Sequence, residues 1–292
     1  VSLAGMSKAT VADTIADQSV EDPIPAQPID PPTITVTFGI NDSPLAGRDG
    51  KKVQSRVIRD RLLKECESNV AIKMMDTPGG EAFDVSGRGE LQMGVLIENM
   101  RREGFELSIS RPRVIYKDVD GVKNEPIEEI TIDVDEEFSG AVIEKLSSRK
   151  GDMVDLKSSG SGKTRIIALV PSRGLIGYHS EFMTDTRGTG ILNRVFHSWC
   201  PHKGSIAGRR QGVLISMENG SSVAYAIFNL EERGKFFIGS GEEVYEGMII
   251  GEHNRDNDLE VNPLKGKKLT NIRASGNDEA VRLTPPTKLS LE

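Results

Sequence analysis

The chain has 292 residues, 37% of them hydrophobic, and its 37 Lys and Arg against 44 Asp and Glu leave a formal charge of -7. That length predicts two or three cores; no apolar run approaches the roughly 20 residues that cross a bilayer, and the acidic first 30 residues lack the basic and apolar regions of a secretory leader. Two isolated cysteines, Cys66 and Cys200, build neither a disulfide framework nor a four-cysteine zinc site, so a cytoplasmic monomer with no membrane partner is expected.

In chain order, residues 1–30 run into five prolines between Pro23 and Pro32 and read as the tail of an upstream domain with its linker. Ile34, Val36, Phe38 and Ile40 then alternate with Thr33, Thr35, Thr37 and Gly39, the period of a half-buried strand. Ile58, Leu62 and Cys66 fall at helical spacing among Arg56, Arg59, Arg61 and Lys64. Residues 70–75 and 82–85 predict two strands around Pro78-Gly79-Gly80. A second helix starts near Gly89, carries the stripe Met93, Leu96, Ile97 and Met100, and stops at Gly104. Phe105, Leu107 and Ile109 alternate in a last strand.

The same order recurs. Ile130, Ile132 and Val134 alternate; Val142, Ile143 and Leu146 suit a helix; residues 151–156 and 163–170 suit two strands; Leu175, Tyr178 and Phe182 mark one second helix, followed by a strand at 191–196. From about Ser198 the pattern changes to short, Gly-punctuated apolar runs (213–217, 223–228, 236–238, 248–250) with no amphipathic helix. The fold class is therefore α+β: two ferredoxin-like split βαβ domains, residues 31–113 and 114–197, followed by a mainly β domain over 198–292.

The net charge alone argues against nucleic acid as a partner, but it is unevenly placed. Residues 118–137 hold nine acids and one base, so the rest of the chain is close to neutral and carries local basic loops. Residues 251–273 read as one long polar loop, and from Val261 to Arg273 it has four bases and no acid. Loops longer than about 12 residues are usually functional or disordered. Its Arg255, Lys265, Lys267, Lys268 and Arg273 suit phosphate contacts, and Lys203, Arg209, Arg210 and Lys235 supply a second set.

Other motifs fail on chemistry. Gly160-Ser161-Gly162-Lys163-Thr164 lacks the earlier glycine and the following helix of a phosphate loop and reads as a hairpin turn. His197, Cys200 and His202 have no fourth metal ligand and suit a structural cluster or an RNA-facing loop. Asp256, Asp258 and Glu260 have a calcium-like rhythm without its glycine or bidentate glutamate. No catalytic, cofactor-binding or metal residue is assigned.

Three stretches carry a resemblance. Thr77-Pro78-Gly79-Gly80-Glu81-Ala82-Phe83-Asp84-Val85-Ser86-Gly87-Arg88-Gly89-Glu90-Leu91 and Val170-Pro171-Ser172-Arg173-Gly174-Leu175-Ile176-Gly177 are similar to elongation factor G and LepA as well as to the TypA/BipA family of translational GTPases. Asn254-Arg255-Asp256-Asn257-Asp258-Leu259 with Gly266-Lys267-Lys268-Leu269-Thr270-Asn271 resembles TypA/BipA alone. The resemblance covers essentially the whole chain. It implies that residues 1–30 end a β-barrel second domain, that 31–113 and 114–197 are domains III and V, and that 198–292 is the family-specific C-terminal domain.

The function it implies is ribosome binding, with large-subunit ribosomal RNA and A-site tRNA as partners, in a family linked to large-subunit assembly, stress, cold growth and virulence. The long loop would be the element that approaches the peptidyl transferase centre. GTP and Mg²⁺ would belong to a G domain whose motifs do not occur in this sequence, so no hydrolysis is expected of it. The alternative is a regulatory module in which the paired ferredoxin-like domains sense a small molecule.

Overall fold

The computed structural model describes residue 5 and residues 14–22, 30–158, 162–206, 211–266 and 282–288. The described residues divide into two compact units, one ending at residue 206 and the other beginning at 211. Among them no helix is long and apolar enough to cross a membrane.

The first unit holds both repeats. In the first, β1 (Ile34–Ile40), α1 (Ser55–Ser68), β2 (Lys73–Asp76), β3 (Ala82–Gly87), α2 (Glu90–Arg102) and β4 (Leu107–Ile109) build a sheet ordered β2-β3-β1-β4, with β5 (Arg113–Val114) also on β1. The alternation in β1 works as expected: Ile34, Val36 and Phe38 are buried against Ile58 and Leu62 of α1 and Met93, Leu96 and Met100 of α2. The opposite face is polar, with Thr35 Oγ1 2.8 Å from Ser86 Oγ and the Thr37 hydroxyl donating to Asp84 at 2.6 Å.

Gly104 ends α2 as predicted. It takes φ +85°, a left-handed conformation that costs glycine nothing. Its N–H reaches Arg101 O at 3.0 Å and the Phe105 N–H reaches Met100 O at 3.1 Å, the paired bonds of a Schellman stop. Two strand expectations are corrected. Residues 70–72 form a turn closed by the Ile72 N–H on Asn69 O, so β2 starts at Lys73. Phe105 lies before β4, buried and bridged to Lys52.

The second repeat begins with a hairpin of β6 (Lys117–Val119) and β7 (Val122–Asp135). Asp120 and Gly121 both have positive φ, the two-residue turn whose twist matches its strands. Then come α3 (Glu136–Ser148), β8 (Asp152–Ser158), β9 (Lys163–Pro171), α4 (Ser172–Leu175), α5 (Tyr178–Asp185) and β10 (Ile191–Pro201), with sheet order β10-β7-β9-β8. Ile130, Ile132, Val134, Val142, Leu146, Tyr178 and Phe182 fill the core.

The single second helix expected here is broken into α4 and α5, and the cause is tertiary. Gly177 takes φ +71°, its N–H donates to Glu90 Oε1 of the first repeat at 2.7 Å, and Ile176 packs against the first repeat's core. A continuous helix would withdraw that plug. A second departure concerns β10, which passes the expected boundary at 197. After a bulge between Phe196 and Ser198 it runs to Pro201, so His197 to Cys200 belong to a strand and not to a loop.

The second unit contains β11 (Val213–Ser216), β12 (Gly220–Ser221), α6 (Ala224–Leu230), a 3-10 turn (Glu231–Arg233), β13 (Gly234–Phe236), β14 (Glu243–Val244), β15 (Ile249–His253) and β16 (Leu259–Val261). Its main sheet is ordered β13-β15-β11-β16, with β16 parallel to β11, over a core of Leu214, Ile227, Phe236, Ile238, Val244, Ile250 and Val261. The expectation of no helix is corrected by α6. Ala226 and Ile227 are buried with Leu230 packed beside them, while Tyr225 and Phe228 stay exposed. That is helical spacing, which a short, uniformly apolar run does not reveal.

Candidate functional site

The nine basic residues expected to meet phosphate do not form one site. Lys203 is in the first unit, while Lys235, Arg255 and Lys265 are exposed in the second. Arg209, Arg210, Lys267, Lys268 and Arg273 lie outside the described residues.

Lys203 is already engaged. Its ammonium pairs with Asp152, and its backbone N–H donates to Glu125 Oε1 at 2.8 Å. Glu125 has a fully buried side chain, and its main partner is Arg173, whose guanidinium makes a bidentate contact with it and also bonds Gly204 O. Burial works against ionisation of Glu125. The Arg173 guanidinium and the Lys203 N–H outweigh it and hold the carboxyl below its usual range. The Arg173 motif thus ties β7 to the segment after β10. A similar cluster joins α3 to α5, where Lys145 lies 2.6 Å from both Glu181 and Asp185 and Arg149 pairs with Glu181.

In the second unit the expected long loop is shorter than its sequence implies, a correction that the sheet explains. Residues 251–253 complete β15 and Leu259–Val261 is β16, leaving residues 254–258 as the connection. Backbone bonds fix that connection: Gly212 N–H to Arg255 O at 2.6 Å, His253 N–H to Gly212 O at 2.9 Å, and Asn254 N–H to Arg233 O at 2.9 Å. His253 is buried, and its Nδ1 is 2.6 Å from Asn257 O, a carbonyl that only accepts, so the proton is on Nδ1. Asp258 accepts the Val213 N–H at 2.9 Å, a structural use for a carboxylate of the calcium-like run. Arg255 is therefore presented from a rigid turn. Lys235 stands on β13 opposite Glu252 of β15, and Lys265 follows β16.

The phosphate-loop candidate does not fit a nucleotide. Lys163 and Thr164 open β9, paired with Asp135 and Val134 of β7, and Thr164 is buried. The turn leads into a strand and not into a helix N-terminus that could receive a phosphate. A cavity of about 310 Å³ opens between the two repeats, lined by Asp30, Arg88, Gln92, Glu128, Arg194 and Phe196 among others. Its two carboxylates and two guanidiniums balance.

Sequence reasoning missed two cation–ring pairs at the far end of the second repeat's sheet, Lys117 on Trp199 on one face and, on the other, Lys123 on Tyr116 with His202 beside it. Only the pairing of β6 and β10 on either side of β7 gathers them, and no sequence period shows it.

Comparison with known proteins identifies two matching families. The TypA/BipA C-terminal domain matches residues 211–292, and the elongation factor G C-terminus matches residues 122–210. Over its full length the chain is 52% identical to the large ribosomal subunit assembly factor BipA of Salmonella typhimurium, 51% to that of Escherichia coli K12 and 50% to that of Bacillus subtilis. In each case it covers 48% of the relative, so the chain spans about half the length of the relatives it matches.

Proposed function

Because the chain belongs to the TypA/BipA family, corresponding to the C-terminal half of its members, we propose that it is the ribosome-contacting part of a large-subunit assembly factor. The observation that carries this reading is identity of 50–52% along the whole chain to proteins named for that role. The second unit would be the RNA-binding element, with Lys235, Arg255 and Lys265 exposed and Lys267, Lys268, Arg273, Arg209 and Arg210 joining them. Ribosomal RNA of the large subunit and the end of A-site tRNA are the targets, and the setting is cytoplasmic. Lys203, matched by Asp152, would act in the framework.

No chemistry is assigned to these residues. GTP hydrolysis, with its Mg²⁺, would belong to the GTP-binding part of the parent protein, and residues 162–171 of this chain do not fit that role.

The test is salt-dependent co-sedimentation with large subunits. Each phosphate contact contributes roughly 0.7 to 0.9 to the slope of log affinity against log salt. Changing Lys265, Lys267 and Lys268 together to alanine is expected to flatten that slope by about 2 to 3 and to weaken binding. An unchanged slope removes these residues from the interface.

A further inference from the structure

We propose that the cavity between the two repeats is a binding site for a small zwitterion, the class to which free α-amino acids belong. Its floor comes from the second repeat. Glu128 of β7 is paired with Phe196 of β10, and Ile130 with Arg194, which puts Glu128, Phe196 and Arg194 on the helix-covered face of that sheet. The opposite wall is Asp30, Pro31 and the start of α2. A Cβ at Gly89 would come within 3.0 Å of Arg194 Nη2, so the glycine leaves room for that guanidinium to reach across. At about 310 Å³ the cavity is at the small end of ligand pockets and admits a single amino acid.

Unused hydrogen-bonding capacity points to a ligand. Arg194 stands between two carboxylates without bonding either, its Nε 3.7 Å from Glu128 and its Nη1 3.8 Å from Glu90. Glu90 is bonded to the Gly177 N–H, but the buried Glu128 side chain has no hydrogen bond among the described residues. Burying a carboxylate in that condition is costly. On the first repeat's side, Arg88 is exposed and has no carboxylate partner among the described residues. Its backbone is fixed, the N–H donating to Gln92 Oε1 at 2.9 Å and the carbonyl accepting the Thr33 hydroxyl at 2.9 Å. That leaves the Gln92 amide nitrogen as a further donor.

Charge selects the class. The carboxylates of Asp30 and Glu128 and the guanidiniums of Arg88 and Arg194 cancel, so a phosphate-bearing ligand or a polyamine would set one of the two pairs against itself. A zwitterion satisfies both. Its ammonium goes to Glu128, with Asp30 at the rim, and its carboxylate to Arg88 and the Gln92 amide. Its side chain lies on Phe196 and Pro31. An uncharged nucleoside offers donors and acceptors but brings no cation to Glu128. The site is independent of the ribosome-associated reading, since none of its residues belongs to the second unit.

The full chain is screened by thermal shift against each of the twenty L-amino acids at millimolar concentration, with nucleosides beside them. At least one amino acid is expected to raise the melting temperature by about 3 °C at about ten times its Kd. The amine that lacks its carboxylate and the acid that lacks its ammonium should each bind at least tenfold more weakly. Trp199, the only tryptophan in the chain, has its ring 5.8 Å from that of Phe196, so its emission should change with the bound ligand. Arg88→Ala should weaken binding about tenfold and leave the melting temperature of the free protein unchanged, because Arg88 has no partner to lose. Glu128→Gln should weaken the amino acid but not its deaminated analogue. No shift with any of the twenty overturns the site, as does binding by a nucleoside alone or equal binding by the single-charge analogues. An amino acid that binds Arg88→Ala as tightly as the parent and leaves Trp199 emission unchanged is held elsewhere, which also overturns it.

Discussion

Arg173→Ala is expected to destabilise the first unit by about 3–5 kcal/mol at neutral pH, because it leaves the buried Glu125 carboxylate without its main partner. Arg173 is 14% exposed and Glu125 not at all, so the carboxylate loses its guanidinium partner at a buried position. In a unit of this size that corresponds to a fall in melting temperature on the order of 10 °C. The pH dependence gives the mechanism. In the parent, Glu125 titrates below its ordinary value of 4.5, so its contribution is complete above that value and is lost as the pH falls through the depressed one. In the variant burial prevails and the carboxyl titrates above its ordinary value. The deficit relative to the parent is then largest near pH 8 and shrinks on acidification, as the carboxyl becomes neutral. Replacing both residues, Arg173→Met with Glu125→Leu, should recover most of the loss by removing both charges. A single variant within 1 kcal/mol of the parent at pH 8 refutes this description of the pair.

Gly212→Ala is the second large effect, expected to cost about 3 kcal/mol. A Cβ at Gly212 would lie 1.9 Å from Asn257 O and 2.2 Å from its carbonyl carbon, backbone atoms with little freedom to retreat. Overpacking costs about 1–3 kcal/mol, and relief requires opening the Gly212 N–H bond to Arg255 O or the His253 N–H bond to Gly212 O, each worth about 1 kcal/mol. The same bonds hold the turn that presents Arg255. Subunit affinity should therefore fall although no charge has changed. Gly266→Ala is the control, since a Cβ there meets nothing within 4 Å. Equal melting temperatures for the two variants would show that the turn yields freely.

The ferredoxin-like repeats were legible because their signals are local. Alternation in β1 and β7 and the stripes of α1 to α3 are set by one buried face each, and Gly104 has a single conformational use. What could not be read depends on a partner far along the chain. Gly177 breaks a helix to deliver Ile176 and an N–H to the first repeat, and nothing in residues 172–185 alone requires it. Residues 197–201 alternate too weakly to read as strand until β7 lies beside them. Residues 251–261 looked like loop because Asn, Asp and Gly dominate, yet pairing with β11 makes strands of both ends. Composition singled out Lys235, Arg255 and Lys265 as exposed bases, but not that Lys203 answers Asp152, nor that Lys117 and Lys123 lie on rings.

Chemical footprinting of large-subunit ribosomal RNA with the chain, beside its Lys265→Ala, Lys267→Ala, Lys268→Ala variant, tests most directly whether the second unit is an RNA-binding element. The account predicts a discrete set of protected nucleotides, a subset of which loses protection in the variant while the others persist. Identical protection by both proteins, or no protection by the parent at concentrations that saturate co-sedimentation, would contradict it.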